Sequence, residues 1–135
     1  MNKITLTESY PMPRIEDIQD SLLNAEYFSV LDMASGFWHI EVKPEDRMKT
    51  AFSTKNGHYE WLRMPFGTKN APVVFQRIVT NLLKKHNMIR FAQNYIDDII
   101  VFSKDKNENI QHLKELFNMA KKENIKFKLS KCQFM

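Results

Sequence analysis

The sequence predicts a single α+β domain in which helices pack on one face of an antiparallel sheet. Strand-like and helix-like segments alternate along its 135 residues, and hairpin signals join several of the strands. The composition, with 43% hydrophobic and 12% aromatic residues, is typical of a globular protein and not of a disordered one. The length suits one domain and is short for two.

The first part of the chain predicts one helix followed by two strands. Apolar residues recur at helical spacing after Pro13, which indicates a helix that ends near Asn24. Residues 27–31 are rich in aromatic and β-branched side chains and predict a strand that ends at Asp32. Residues 37–42 alternate between two faces and predict a second strand.

The middle of the chain predicts a hairpin and an amphipathic helix. Asn56-Gly57 is typical of a tight turn between two short strands. Apolar residues from Val74 onward then recur at helical spacing as far as about Lys85.

The last part predicts a capped helix and a final strand. Asp105 and Glu108 have the spacing of a capping box, and apolar positions follow at helical spacing. Residues 127–129 predict the beginning of a short strand.

The charge and the cysteine content limit the classes of function. A net charge of +4 and a pI near 9.2 permit a polyanionic partner without requiring one. Cys132 is the only cysteine, so no internal disulfide forms, and we expect a reducing compartment. No apolar run approaches the roughly 20 residues of a membrane helix, and the N-terminus lacks the apolar segment of a secretory signal.

The segment Tyr95-Ile96-Asp97-Asp98 carries the strongest chemical signal. It lies between two apolar runs, residues 88–92 and 99–102, which read as strands. Two adjacent carboxylates belong in a turn that exposes them, because burial of like charges is costly. Such a pair is either a solvated hairpin turn or part of a Mg²⁺ site, since Mg²⁺ prefers oxygen ligands.

Asp32 favours the metal interpretation because it also ends an apolar strand. Carboxylates at the ends of neighbouring strands can converge, since adjacent strands lie only about 4.8 Å apart. Three converging carboxylates repel strongly unless divalent cations neutralise them, and two such ions can clamp a phosphoryl displacement. The alternative is that Asp32 only caps the following turn.

An ordered series of motifs then makes the sequence recognisable. The motifs are residues 10–15, 29–37, 49–52, 64–67, 70–72, 75–76, 95–98, 112–113 and 131–134. In order and spacing they closely resemble reverse transcriptases of gypsy-type LTR retrotransposons. The resemblance implies a palm-like antiparallel sheet with helices on one face, plus part of the fingers. Residues 1–135 are then one core region, and the upstream fingers, thumb, connection and ribonuclease H regions lie outside it.

The resemblance also implies roles for individual residues. Asp32, Asp97 and Asp98 match the catalytic, metal-binding triad, and the backbone carbonyl of Met33 matches an additional metal ligand.

Further positions match the substrate site of the family. The amides near Gly36 are expected to meet the incoming triphosphate. Phe37 matches a steric gate against a ribose 2′-OH; its alternative is a core aromatic on a strand. Phe66 and Gly67 match the segment beneath the nucleotide and template base, and Tyr95 is expected near the primer end.

The function that follows is that of an RNA-directed DNA polymerase core using Mg²⁺, with Mn²⁺ as a substitute. The implied partners are an RNA or DNA template with its primer, a dNTP and the remaining Pol domains, with no membrane. The implied location is the cytoplasm, including virus-like particles. Two alternatives stay open: a catalytically incompetent remnant that binds nucleic acid or protein, and a metal-dependent phosphodiester hydrolase.

Overall fold

A computed structural model describes residues 2–135, in which helices and short strands alternate. The helices are α1 (Ile15–Leu22), α2 (Pro44–Arg47), α3 (Ala71–Lys85) and α4 (Lys106–Lys122). The strands are β1 (Tyr27–Asp32), β2 (Phe52–Thr54), β3 (Gly57–Tyr59), β4 (Ala92–Tyr95), β5 (Asp98–Ser103) and β6 (Gln133–Phe134). Within residues 2–135, none of the helices combines the length and apolar character needed to cross a bilayer.

The main sheet has four antiparallel strands in the order β4-β5-β1-β6. The central pair, β1 and β5, is in register from Tyr27 opposite Ser103 to Asp32 opposite Asp98. Strands β2 and β3 form a separate two-stranded hairpin. Because β1 pairs with β5 directly, the sheet brings together residues that are 66 (Asp32 and Asp98) to 76 (Tyr27 and Ser103) positions apart in the chain.

One face of the main sheet carries the core. Leu31, Ile99 and Val101 are fully buried and belong to one apolar cluster with residues of α3 and α4. Side chains alternate between faces along a strand, so Asp32 and Asp98 lie on the opposite face from these residues. The predicted α+β fold, with helices on one face of an antiparallel sheet, is confirmed.

Several predicted elements are also confirmed, with shifted ends. The first helix begins at Ile15, and α3 reaches Lys85 as predicted. At the start of α4, Asp105 Oδ1 accepts a hydrogen bond of 2.9 Å from the Glu108 amide. The Glu108 side chain accepts from the Lys104 amide at 2.8 Å, one residue before the position that a capping box requires.

Three predicted strands are wrong. Of the run 88–92, only Ala92 belongs to a strand, because residues 88–91 are turn or irregular and β4 is Ala92–Tyr95. Residues 37–42 do not form a strand: Gly36–His39 is a 3₁₀ turn, which follows Ser35 in the left-handed region at φ 52°. The Trp38 amide donates to the Ser35 carbonyl at 2.8 Å and closes this turn. Near the end of the chain, Phe127 makes only an isolated bridge to Met33, and a 3₁₀ turn precedes β6.

Candidate active site

The register of the central strands places two carboxylates opposite each other. Asp32 is the last residue of β1, and Asp98 is the first residue of β5. They pair directly across the two strands, so both side chains project from the same face. Like charges at directly opposed positions destabilise a sheet. The fold therefore holds two like charges, Asp32 and Asp98, next to each other where β1 ends and β5 begins.

Asp97 is carried by the two-residue turn between β4 and β5. Its carbonyl accepts a hydrogen bond of 2.9 Å from the Met33 amide, which ties the turn to the residue after Asp32. Ile96, the first residue of the turn, has φ 55°. A β-branched residue rarely adopts a positive φ, so the surrounding structure must hold it there.

Gln76 supplies that support from α3. Its Oε1 accepts a hydrogen bond of 2.6 Å from the Ile96 amide, and its Nε2 donates to the Asn94 carbonyl at 2.9 Å. Gln76 is 2% exposed; its bond to Asn94 is buried, and its bond to Ile96 is partly buried. The sequence analysis missed this role; the available signal was a glutamine on the buried face of an amphipathic helix.

The electrostatics of the carboxylates reflect their proximity. The pKa of Asp98 is raised, first by burial and then by the negative charges of Asp97 and Asp32. Lys131 partly offsets this increase in the pKa of Asp98. Its Nζ lies 3.2 Å from Asp32 Oδ2, across 99 positions of sequence. Lys131 is therefore the cation paired with Asp32.

The carboxylates do not form a closed metal-binding cluster. Across residues 2–135, no group of three or more His, Cys, Asp or Glu side chains is arranged to hold a metal ion. The chemistry of the donor set nevertheless fits Mg²⁺, since carboxylate oxygens are among its preferred ligands. A divalent cation would also relieve the repulsion that raises the pKa of Asp98.

A cavity of about 490 Å³ lies beside the carboxylates. Its lining includes Asp32, Gly36, Phe37, Phe66, Asp97 and Lys131. A Cβ atom on Gly36 would lie 2.8 Å from the Phe75 ring and 3.3 Å from Asp97 Cβ. Only glycine therefore lets the backbone pass this close to both the core and the carboxylate turn.

Phe37 belongs to both the cavity and the core. It lines the cavity, and its ring centroid lies 5.3 Å from that of Phe66 and 5.4 Å from that of Phe75. It is partly buried against the apolar cluster. The gate and core-aromatic interpretations are therefore compatible, because the same ring lines the cavity and packs against the core.

The remaining sequence-predicted site residues lie around this region. The Met33 side chain is 3% exposed and packs in the core. Phe66 is 61% exposed, and Gly67 follows it at φ 81°. Tyr95 is exposed at the end of β4, where it pairs with Asp98 in the register of β4 and β5. Of these residues, Met33 and Phe66 line the same cavity as Asp32 and Asp97, whereas Gly67 and Tyr95 do not.

Comparison with known proteins agrees with this arrangement. The family model described as reverse transcriptase (RNA-dependent DNA polymerase) matches residues 1–135. The chain is 42% identical over 139 residues to the Pol polyprotein of transposon 297 and 44% identical over 135 residues to that of transposon opus, both from Drosophila melanogaster. Each alignment covers 100% of the chain and 13% of the relative. The chain thus spans a small part of these polyproteins.

Solved structures share the fold. The native protease-reverse transcriptase of prototype foamy virus has a TM-score of 0.84 and 32% identity, covering 98% of this chain and 18% of that one. A foamy viral protease-reverse transcriptase in complex with double-stranded DNA has a TM-score of 0.87 and 25% identity, covering 99% and 23%. Because the family model matches the whole length and solved members share its fold, the chain belongs to the reverse transcriptase family.

Proposed function

We propose that the chain is the palm core, with part of the fingers, of an RNA-directed DNA polymerase. The reaction is attack of a primer 3′-OH on the α-phosphate of a dNTP, with release of pyrophosphate. The observation that carries the proposal is the directly opposed pair Asp32 and Asp98. Asp32 and Asp97, but not Asp98, also line a cavity of about 490 Å³. Membership of the reverse transcriptase family supports it.

In this proposal Asp32, Asp97 and Asp98 hold two Mg²⁺ ions, with the Met33 carbonyl as an additional ligand and Mn²⁺ as a substitute. When bound, such ions neutralise the carboxylates and the negative charge of the reacting phosphate. Carboxylates on strand ends and a tight turn are held rigidly, as a metal site requires. Gln76 contributes by holding the turn that carries Asp97.

Other residues in and around the cavity bind and orient the substrates in this proposal. We assign the backbone near Gly36 to the triphosphate and the Phe37 ring to exclusion of a 2′-OH by steric clash. Phe66 and Gly67 support the nucleotide and template base, and Tyr95 lies close to the primer end. Positioning and charge neutralisation are the main catalytic effects, so the protein need not supply a nucleophile.

The proposed partners follow from the similar proteins. Foamy viral structures contain double-stranded DNA or an RNA/DNA hybrid. We therefore propose an RNA or DNA template with its primer, together with a dNTP. The remaining Pol domains are proposed as partners because the chain spans 13% of its Drosophila relatives. The proposed location is the cytoplasm, including virus-like particles.

Primer extension by the purified 135-residue chain tests this function. With Mg²⁺ and either an RNA or a DNA template, we expect addition of the complementary dNTP. Asp97→Asn should abolish addition, and the control Asp20→Asn, at an exposed position of α1, should retain it. Template binding without addition would instead indicate an incompetent remnant, and primer cleavage without dNTP would indicate a hydrolase.

A further inference from the structure

Residues 2–8, which we call the N-terminal strap, lie along residues 66–70, which we call the Phe66 loop. The apolar side chains of the strap do not pack in the core, since Ile4 is 87% exposed and Leu6 is 88% exposed. Burial of apolar surface therefore does not hold the strap in place. The contacts that join it to the loop are hydrogen bonds, and two asparagine side chains make four of them.

Asn2 holds the backbone of the Phe66 loop. Its Nδ2 donates to the Gly67 carbonyl at 2.7 Å, and its Oδ1 accepts from the Lys69 amide at 3.1 Å. One side chain thus satisfies two backbone groups of the loop. A carbonyl only accepts and an amide N–H only donates, so these two partners determine the orientation of the Asn2 side chain.

Asn70 holds the backbone of the strap in the same way. Its Nδ2 donates to the Leu6 carbonyl at 2.8 Å, and its Oδ1 accepts from the Glu8 amide at 3.2 Å. The two clamps are reciprocal, because a strap side chain binds the loop backbone and a loop side chain binds the strap backbone. Together they join the two segments at both ends of the contact.

The strap is also tied to α3. Glu8 forms an ion pair with Arg77, a residue of α3, and Lys69 Nζ donates to the Thr5 carbonyl at 3.2 Å. Helix α3 packs into the core through fully buried residues such as Phe75. The strap therefore connects the Phe66 loop to a rigid element of the fold.

Phe66 is the residue of the loop that reaches the candidate active site. It lines the cavity of Asp32 and Asp97, and it also lines a neighbouring cavity of about 320 Å³ together with Asn2 and Gly67. Its side chain is 61% exposed. Core packing does not immobilise a ring that is this exposed, so the position of Phe66 depends on the backbone that follows it.

We propose that Asn2 and Asn70 are positioning residues, which hold Phe66 at the wall of the cavity of Asp32 and Asp97 and thereby set the affinity for the incoming dNTP. This inference rests on the proposed function, in which Phe66 and Gly67 support the nucleotide and template base. Asn2 and Asn70 act through the loop backbone, since their side chains bind Gly67, Lys69 and the strap.

Nuclear magnetic resonance of the ¹⁵N-labelled chain tests the clamp without catalysis. Asn2→Ala removes both bonds, so amide hydrogen exchange at Lys69 should become at least about fivefold faster. The nuclear Overhauser effect between the rings of Phe66 and Phe37, whose centroids lie 5.3 Å apart, should weaken. Asn2→Asp keeps an acceptor for the Lys69 amide and should preserve its slow exchange. The control Asn118→Ala, at an exposed position of α4, should change neither signal.

Extension of a primer by one nucleotide tests the effect on substrate. In Asn2→Ala the KM for dNTP should rise about fivefold while kcat changes little, because the loop supports the nucleotide before and during the reaction. The control Asn118→Ala should keep both values. Asn2 is exposed, so melting temperatures should be similar in all variants.

The possible results separate the clamp from its function. Unchanged Lys69 exchange in Asn2→Ala overturns the clamp. Faster exchange with the same ring contact and the same KM overturns the positioning of Phe66. An unmodified chain that adds no nucleotide contradicts the proposed function and the effect on dNTP affinity, whereas the exchange and ring-contact results still decide whether Asn2 holds the loop.

Discussion

Asp32 and Asp98 are directly opposed residues of β1 and β5, and both side chains project from the face that α3 and α4 leave uncovered. Cross-strand neighbours on one face have Cβ atoms about 4.5–5.5 Å apart, so these carboxylates repel each other. Burial and the neighbouring carboxylates raise the pKa of Asp98 accordingly. The polymerase proposal accounts for this unfavourable pair, because a bound divalent cation converts the repulsion into attraction.

The first prediction is that Asp98→Asn stabilises the metal-free chain at pH 7. The substitution removes one of two like charges in a cross-strand pair, so we expect the free energy of unfolding to rise by about 0.5 kcal/mol. Urea unfolding in the presence of a chelator measures it. The matched control is Asp20→Asn, at an exposed position near the end of α1, and it should change stability little. A clear loss of stability in Asp98→Asn would contradict this explanation.

The same variant has a predicted pH dependence. The folded state raises the pKa of Asp98 and so binds a proton more tightly than the unfolded state. Stability from this group is therefore highest below its ordinary value of 3.8 and falls as pH rises through the raised value. Asp98→Asn should remove that fall. The stability of the variant and of the unmodified chain should therefore be similar at low pH and should differ at pH values above the raised pKa of Asp98.

The second prediction concerns Gln76. Gln76→Leu leaves the Ile96 amide and the Asn94 carbonyl without their partners, so we expect a loss of about 2–4 kcal/mol. Hydrogen exchange of the Ile96 amide should become faster, because the turn loses its anchor. Gln111→Leu, at an exposed position of α4, is the matched control. Equal stability of the two variants would rule out the anchoring role.

The third prediction concerns the junction between α3 and α4. Lys85 Nζ and His86 Nε2 lie 2.8 Å and 2.7 Å from Glu123 Oε1, and these two hydrogen bonds lower the pKa of Glu123 from 4.5 to about 2. Its contribution to stability is present above pH 4.5 and is lost as pH falls towards 2. Glu123→Gln should therefore lower the urea midpoint at pH 7 and converge with the unmodified chain near pH 2. The control Glu60→Gln, at an exposed position, should show no such convergence.

The fourth prediction concerns sugar selectivity in a longer protein that contains this chain. Phe37→Val opens space in the cavity that Asp32 and Asp97 line, so ribonucleotide use should increase relative to dNTP use. Turnover of dNTP should fall less than in Asp97→Asn, which removes the charge of a proposed metal ligand. Because the Phe37 ring also packs on Phe75, we expect a stability loss of about 1–3 kcal/mol.

The control for Phe37 is Phe75→Leu. Phe75 is 1% exposed, so its truncation destabilises the core without enlarging the substrate side of the cavity. Incorporation of both sugars and the melting temperature should be measured for each variant. If the ratio of ribonucleotide to deoxyribonucleotide incorporation is the same in Phe37→Val as in Phe75→Leu, and only stability changes, then Phe37 has no gate function.

Periodic elements could be predicted from the sequence, because their signal is local. Helices α3 and α4 and strands β1 and β5 follow apolar periodicity. Residues 37–42 show why such patterns fail in short segments. In the 3₁₀ turn Gly36–His39, Phe37 packs inward while Trp38 is 49% exposed, so these two neighbours differ in burial as they would in a strand.

The contacts that support the site could not be predicted, because they join distant residues. Lys131 and Asp32 are 99 positions apart, and Gln76 and Ile96 are 20 positions apart. No local spacing connects such pairs, and a polar residue within an apolar helix face does not reveal its partner. The carboxylates were different: Asp32 ends an apolar run, and Asp97 and Asp98 lie between two apolar runs. That pattern suggested that these carboxylates could converge, and the register does place Asp32 opposite Asp98.

The central claim is that Asp32, Asp97 and Asp98 form one divalent-cation site. The most direct measurement is Mn²⁺ binding to the 135-residue chain, followed by the electron paramagnetic resonance signal of the free ion. We predict saturable binding that each of three single Asp→Asn substitutions weakens by about tenfold or more, while Asp20→Asn leaves it unchanged. Equal Mn²⁺ affinity in the unmodified chain and all three variants would contradict the claim.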